Sequence, residues 1–245
     1  MAAAEAESKY AIHEAAREGR TQVVESLLNE LIIQKANPKL AKVVDQDERL
    51  AIHWACAFNH LDIVKLLTST RSFDPDAQDG SGWTPLMIAS SLKDNGGEAI
   101  VELLLAKEAD PKITTNTGAT ALHFAVSKGN LEICKNLLKH GASARTKDKR
   151  GQLPLHRAAA VGSVPIVKLL LENKSPINAT DMDGLTALHH AISEGNADVA
   201  VELLKAGAET DKKDIDGRLA IECAPDNKVR SYIIKAAERE GIEIE

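Results

Sequence analysis

Histidine is the residue whose number and spacing here most invite a chemical reading. Eight occur in 245 residues, and His123, His156 and His189 stand 33 apart. An imidazole can ligate zinc, carry a proton or activate a nucleophile. His13 and His53 sit in the same local setting, a short alanine-rich apolar run, so five histidines occupy one position of a recurring pattern. Zinc holds its ligands at about 2.0–2.3 Å, whereas packed helices lie about 8–10 Å apart and separate equivalent residues by roughly that much. These histidines therefore cannot share a metal. His53 and Cys56 are one helical turn apart, but no second pair stands at a zinc-finger spacing. There is no glycine-rich phosphate loop, nucleophile elbow or HExxH helix, so no catalytic residue, metal or cofactor is expected. Cys56, Cys134 and Cys223 each replace a small or apolar residue of the pattern, which predicts buried, reduced thiols.

The elements that would position these residues follow from the stretch Gly118–Ser143. A glycine turn leads into Thr120-Ala121-Leu122-His123 and an apolar run, which breaks at Gly129-Asn130. The pattern resumes at Leu131-Glu132-Ile133 and closes on Leu137-Leu138 and Gly141-Ala142. That is two short helices joined by a tight turn. The same order recurs around His156 and His189, and a fixed period of this size marks a stacked repeat array. With Thr/Pro, Leu, His, an alanine-rich inner helix and a terminal Gly-Ala, the units resemble ankyrin repeats over nearly the whole chain. The resemblance implies an all-α repeat solenoid of seven repeats in a curved array, each repeat a helix-turn-helix with a β-hairpin tip. It also implies that the shared histidine hydrogen-bonds backbone in the turn.

Residues 1–8 read as an N-terminal tail, and the repeats as 9–44, 45–78, 79–113, 114–146, 147–179, 180–212 and 213–245. The first and last are caps with polar outer faces. The outer helix of the first repeat is expected to run long and stop near Asn37-Pro38. The third repeat has Met87 in place of histidine and a wider loop at Asp94-Asn95-Gly96-Gly97. Ser163 and Pro165 should open the outer helix of the fifth, and a charged helix from Val229 to Glu240 should end the array. A net charge of −6 argues against nucleic-acid binding, which needs a concentrated basic face. The opening residues have no leader pattern and no run of about 18 apolar residues occurs, so a soluble, intracellular monomer without membrane contact is expected.

Residues that vary between repeats should project onto the concave face. Directly after the histidine position come Trp54, Phe124, Arg157 and His190; four positions before it come Arg49 and Trp83. Aromatics and arginine are enriched at binding hot spots. Asp45, Asp47, Glu48 and Asp79 make the early tips acidic, while Lys147, Lys149 and Arg150 make a later tip basic, which suits a partner with the reverse arrangement.

Asp45-Gln46-Asp47-x-Arg49-x-Ala51-x-His53-Trp54-x-Cys56, then Gly82-Trp83, then His156-Arg157-Ala158-Ala159-Ala160 resemble the gankyrin family and its fungal members, seven-repeat assembly chaperones of the proteasome regulatory particle. The resemblance implies that the concave face cradles the C-terminal helical domain of one base ATPase in cytoplasm and nucleus and delays docking on the core particle. It makes Asp47, Arg49, Trp54, Trp83 and Arg157 partner contacts; Phe124 and His190 rest on position alone. The alternative is an ankyrin adaptor or inhibitor of another client, such as a cyclin-dependent kinase, and more remotely an enzyme.

Overall fold

The computed structural model describes residues 10–33, 42–71 and 73–244, with side chains for all of these except 30–33. The expected tail at 1–8 and the expected helix stop near Asn37-Pro38 lie outside the described residues. The chain divides into two compact units, Met1–Asn116 and Thr117–Glu245.

In the first unit three inner helices, α1 (Ala11–Arg17), α3 (Ala51–Ala57) and α5 (Pro85–Ser90), alternate with outer helices α2 (Thr21–Ile33), α4 (Leu61–Thr68) and α6 (Glu98–Ala106). Helix α3 packs on α1 and α5, and α4 on α2 and α6, so inner and outer helices form two layers. The second unit repeats this with inner helices α7 (Ala121–Ser127), α9 (Pro154–Val161) and α11 (Ala187–Ser193) and outer helices α8 (Leu131–Lys139), α10 (Val164–Glu172) and α12 (Ala197–Lys205). It closes on a 3-10 helix, Ala220–Cys223, and on α13 (Asn227–Arg239), which packs on α12. The last helix starts two residues earlier than the sequence suggests because Asp226 caps it, accepting the N–H groups of Lys228 and Val229 at 2.8 Å each. Ser163 stands at the N-cap of α10, but its side chain makes no capping bond. The tips are turns rather than strands; the bridge between Lys213 and Leu219 is the one β-pairing among the described residues.

Helices of seven to nine residues do not hold in water by propensity, so packing must stabilise them. The alanines of the inner helices, among them Ala55, Ala125, Ala158 and Ala191, are completely buried and let neighbouring helices approach closely. The outer helices contribute the bulk, with Ile63, Ile133, Leu137, Ile166, Leu170 and Leu203 all fully covered. Cys56 and Cys134 belong to this core; burial pushes the Cys56 thiol well up and the Cys134 thiol to about 12. Cys223 is only half-buried.

The five repeat histidines are buried as well, and four share one geometry. The N–H three residues earlier donates to Nδ1: Leu50 to His53 (3.0 Å), Thr120 to His123 (3.1 Å), Leu153 to His156 (2.9 Å) and Thr186 to His189 (3.2 Å). An Nδ1 that accepts leaves the proton on Nε2. That nitrogen donates to a backbone carbonyl further along the chain, at or just before the next tip: Ala77 (3.1 Å), Gln152 (3.1 Å), Ala179 (3.0 Å) and Arg218 (3.4 Å) respectively. Nε2 of His13 likewise faces the carbonyls of Val43 (2.9 Å) and Arg49 (3.0 Å). The four rings of shared geometry each close the start of their own helix and tie it to a backbone carbonyl further along the chain, whereas Nδ1 of buried His13 accepts no such bond. Burial lowers the pKa of all five, reinforced at His123 by the charge of Arg157 and at His156 by that of His190, and brings these two to about 4.

Two outcomes follow from this core. Leu137→Ala or Leu170→Ala should cost about 2–5 kcal/mol in denaturant titrations by leaving a cavity between repeats, whereas a change at exposed Glu172 should cost little. The histidines are depressed in the folded chain, so the unfolded chain binds more protons below its ordinary value of 6.5. Their contribution is complete above that value and is lost as pH falls toward about 4. Melting followed by circular dichroism should therefore drop steadily across this window; a flat profile would contradict the neutral, backbone-bonded rings.

Candidate functional site

The variable residues expected to bind a partner are positioned by the tips, and the tips are built around aspartate. In Asp45, Asp79, Asp148, Asp181 and Asp214 one carboxylate oxygen, Oδ1, accepts the N–H groups two and four residues on, at 2.9–3.0 Å. Thr115 holds this position in the fourth repeat. Successive tips within a unit are joined by single backbone bonds. In the first unit Gly80 donates to Asp47 (2.9 Å) and Asn116 to Ser81 (3.0 Å). In the second, Lys149 donates to Thr117 (2.9 Å), Met182 to Arg150 (2.9 Å) and Ile215 to Asp183 (3.1 Å).

The second oxygen, Oδ2, reaches the candidate site. It accepts from Nε1 of Trp54 at Asp45 (2.7 Å), from Nη2 of Arg157 at Asp148 (2.7 Å) and from Nε2 of His190 at Asp181 (2.9 Å). In each case the partner is the residue directly after the repeat histidine, nine positions from the aspartate. Arg49 instead reaches forward to Asp79 (3.1 Å), and Arg218 folds onto Asp214 (3.0 Å). Burial alone pushes the carboxyls of Asp45, Asp148 and Asp181 up. The donated hydrogen bonds outweigh it and hold all three below the usual range, so they stay ionised.

In the first unit Asp45, Arg49, Trp54 and Asp79 thus belong to one neighbourhood. The guanidinium of Arg49 lies 5.0 Å from the centre of the Trp54 ring, and Trp83 joins through its N–H on Asp79. Asp45 and Asp79, expected as acidic contacts, have both oxygens engaged within the chain, and Asp79 is buried. Trp54 and Trp83 are half-buried rather than free in solvent, whereas Asp47 and Glu48 are exposed.

In the second unit Arg157 lies 6.0 Å from the Phe124 ring and also reaches Oγ of Ser127 (3.4 Å). His190 meets His156 edge-on at 5.5 Å. On the basic tip Lys147 donates to the carbonyl of Thr180 (2.8 Å), Arg150 faces Asp183 at 3.7 Å, and Lys149 is exposed. The aspartates that hold Arg157 and His190 were not among the expected site residues; the nine-residue interval from Asp to the residue after histidine is the signal that identifies them. Among the described residues no group of three or more His, Cys, Asp or Glu side chains could hold a metal, and no helix is long and apolar enough to cross a membrane.

Comparison with known proteins agrees with this architecture. A family model described as ankyrin repeats (3 copies) matches residues 2–79, 52–148, 86–181 and 141–214. The chain is 41% identical to the ankyrin repeat-containing protein C6C3.08 of Schizosaccharomyces pombe, over 41% of this chain and 43% of that protein. It is 38% identical to the probable 26S proteasome regulatory subunit p28 of Saccharomyces cerevisiae, over 57% of this chain and 59% of that protein. The matches thus span roughly half the length of these relatives. Among solved structures, the ankyrin repeat domain of human ASB11 aligns over 92% of this chain and 96% of its own, with a TM-score of 0.78 and 26% identity. That of Bcl-3 aligns over 91% and 96%, with 0.72 and 25%.

Glu48 is the one tip residue that departs from the geometry its neighbours satisfy easily. The fourth residue of the other tips is glycine at positive φ, as in Gly82 (78°) and Gly151 (75°), but Glu48 adopts 58° with a side chain. The left-handed region costs an L-residue about 1–2 kcal/mol, partly offset by the greater entropy glycine loses. Glu48→Gly should raise the melting temperature, equivalent to roughly 1 kcal/mol or less; a lower one would mean that the carboxylate makes a stabilising contact.

Proposed function

Because the chain belongs to the ankyrin-repeat family, we propose that it is a non-catalytic, gankyrin-like assembly chaperone of the 26S proteasome regulatory particle. In this reading it grips the C-terminal helical domain of one base ATPase on a concave face and delays docking on the core particle. The observation that carries the reading is the 38% identity to the yeast protein described as a probable 26S proteasome regulatory subunit. The tip geometry supports it. Trp54, Arg157 and His190 are each fixed by an aspartate before any partner arrives, so little side-chain entropy remains to be lost on binding. With Trp83 and Phe124 they would supply aromatic and cationic area, while Asp47, Lys149 and Arg150 at the exposed tips would steer the encounter. A cytoplasmic and nuclear location accompanies this role.

The test is binding of this protein to isolated C-terminal domains of each base ATPase by surface plasmon resonance at two salt concentrations. One domain should bind. Trp83→Ala should weaken it by about 2 kcal/mol or more, chiefly through faster dissociation. Trp54→Phe, which keeps the ring but removes the N–H that Asp45 accepts, should weaken it less. Charge reversal at Lys149 or Asp47 should slow association at low salt and have little effect at high salt. If none of the domains binds, the chaperone reading fails and only a general protein-binding array remains.

A further inference from the structure

We propose that Phe58 and Arg17, with Trp54, form a further docking point in the first unit, for a partner helix that presents a carboxylate beside an apolar side chain. It rests on the chaperone reading for the identity of the partner. Phe58 caps the end of α3, one helical turn after Trp54, so the two rings share a face. The same capping position is Glu18 on α1, Ser91 on α5, Lys128 on α7, Gly162 on α9 and Glu194 on α11, so folding a repeat asks for no aromatic ring there. An aromatic ring that remains 50% exposed is therefore not explained by the core. Nor is it loose: it stacks on Trp54 at 6.3 Å and on His60 at 6.4 Å. A rigid, half-exposed ring is the kind of side chain that makes a hot spot, because binding orders little that is not already ordered.

The charge beside it is equally specific. Arg17 places its guanidinium 5.8 Å from the Trp54 ring, and His60 donates to the Arg17 carbonyl at 3.1 Å, which fixes the backbone beneath it. The carboxylates on its own segment are drawn elsewhere: Glu18 and Glu14 lie 2.9 Å and 3.8 Å from Arg20. Arg49, the other cation at the Trp54 ring, is engaged by buried Asp79. Among the described residues Arg17 thus has no carboxylate within ion-pair distance. A cation that no described carboxylate engages, next to an exposed aromatic, calls for an acid and an apolar group on the incoming surface.

The experiment measures the ATPase domain that binds against Phe58→Lys, Phe58→Glu and Arg17→Glu, with melting curves for each variant. Lysine and glutamate occupy this cap in three other repeats, so both should leave the melting temperature nearly unchanged. Phe58→Lys should weaken binding on the order of tenfold. Phe58→Glu should weaken it more, because it faces the partner's carboxylate, and the gap between the two should narrow at high salt. Arg17→Glu should slow association at low salt. Domain binding that is sensitive to Trp83→Ala but unchanged in all three variants would overturn this inference and leave the chaperone reading intact. Tighter binding by Phe58→Glu than by Phe58→Lys would overturn the acidic character assigned to the partner. Absence of binding by every ATPase domain would overturn both proposals together.

Discussion

In four repeats one neutral imidazole ties the start of the inner helix to backbone further along the chain. The inner helices have too few residues to nucleate alone, and their first N–H groups have no partner within the helix. In four repeats the histidine accepts one of these orphan donors on Nδ1 and spends its own proton on the following tip. A hydroxyl or carboxylate could cap the helix, but the neutral imidazole, with an acceptor on one edge and a donor on the other, spans both elements at once. This bond has to be made by the neutral ring, because a protonated Nδ1 would meet an N–H donor at about 3 Å. The buried array therefore fixes both the charge state and the tautomer.

The tip aspartate is the second half of this device, and it links folding to recognition. One oxygen closes the turn; the other is left pointing toward the residue after the histidine. Where that residue is tryptophan, arginine or histidine, the oxygen captures it. A side chain that would otherwise sample many rotamers on the surface is thereby aimed by the same atom set that forms the tip. The residues most suited to bind a partner are, for this reason, half-buried and already paired. Binding would have to use their remaining edges and faces rather than replace their internal bonds, since breaking a partly buried, hydrogen-bonded charge pair is costly.

The fold was legible in the sequence because periodicity reports it redundantly. His123, His156 and His189 mark one register, and the intervening leucines and alanines repeat it. The backbone role of the histidines came from the ankyrin resemblance, while the spacing of packed helices excluded only a shared ligand. What was not legible was the state of the candidate site. Asp45 and Asp79 look like free acidic residues in a charged stretch, and only the folded tip shows both oxygens consumed. The hairpin tips were expected as β-structure, but single inter-tip bonds do not amount to strands. Charge counting along a chain cannot separate a carboxylate that closes a turn from one that faces solvent; Asp47 and Asp45, two residues apart, fall on opposite sides of that division.

A repeat protein carries its own controls, because each position occurs several times and departures can be read against its equivalents. Met87 in place of histidine and Thr115 in place of aspartate both occur near the boundary between the two compact units. There the thioether of Met87 lacks the paired ring nitrogens, and the hydroxyl of Thr115 lacks the second oxygen with which the tip aspartates reach other side chains. At Glu48 and Phe58 it lapses differently. Glutamate occupies a left-handed position that glycine fills elsewhere, and phenylalanine a cap that charged or small residues fill elsewhere. The first of these is unfavourable to the fold and the second is not required by it. Backbone strain clusters at binding and switch regions of native chains, and an exposed ring gains meaning where other groups gather around it, as Trp54 and Arg17 do here. Both departures lie in the second repeat, beside the Trp54 network. In this repeat the departures sit beside a tryptophan ring on which Phe58, Arg49 and Arg17 converge, which is the physical reason to place recognition there first.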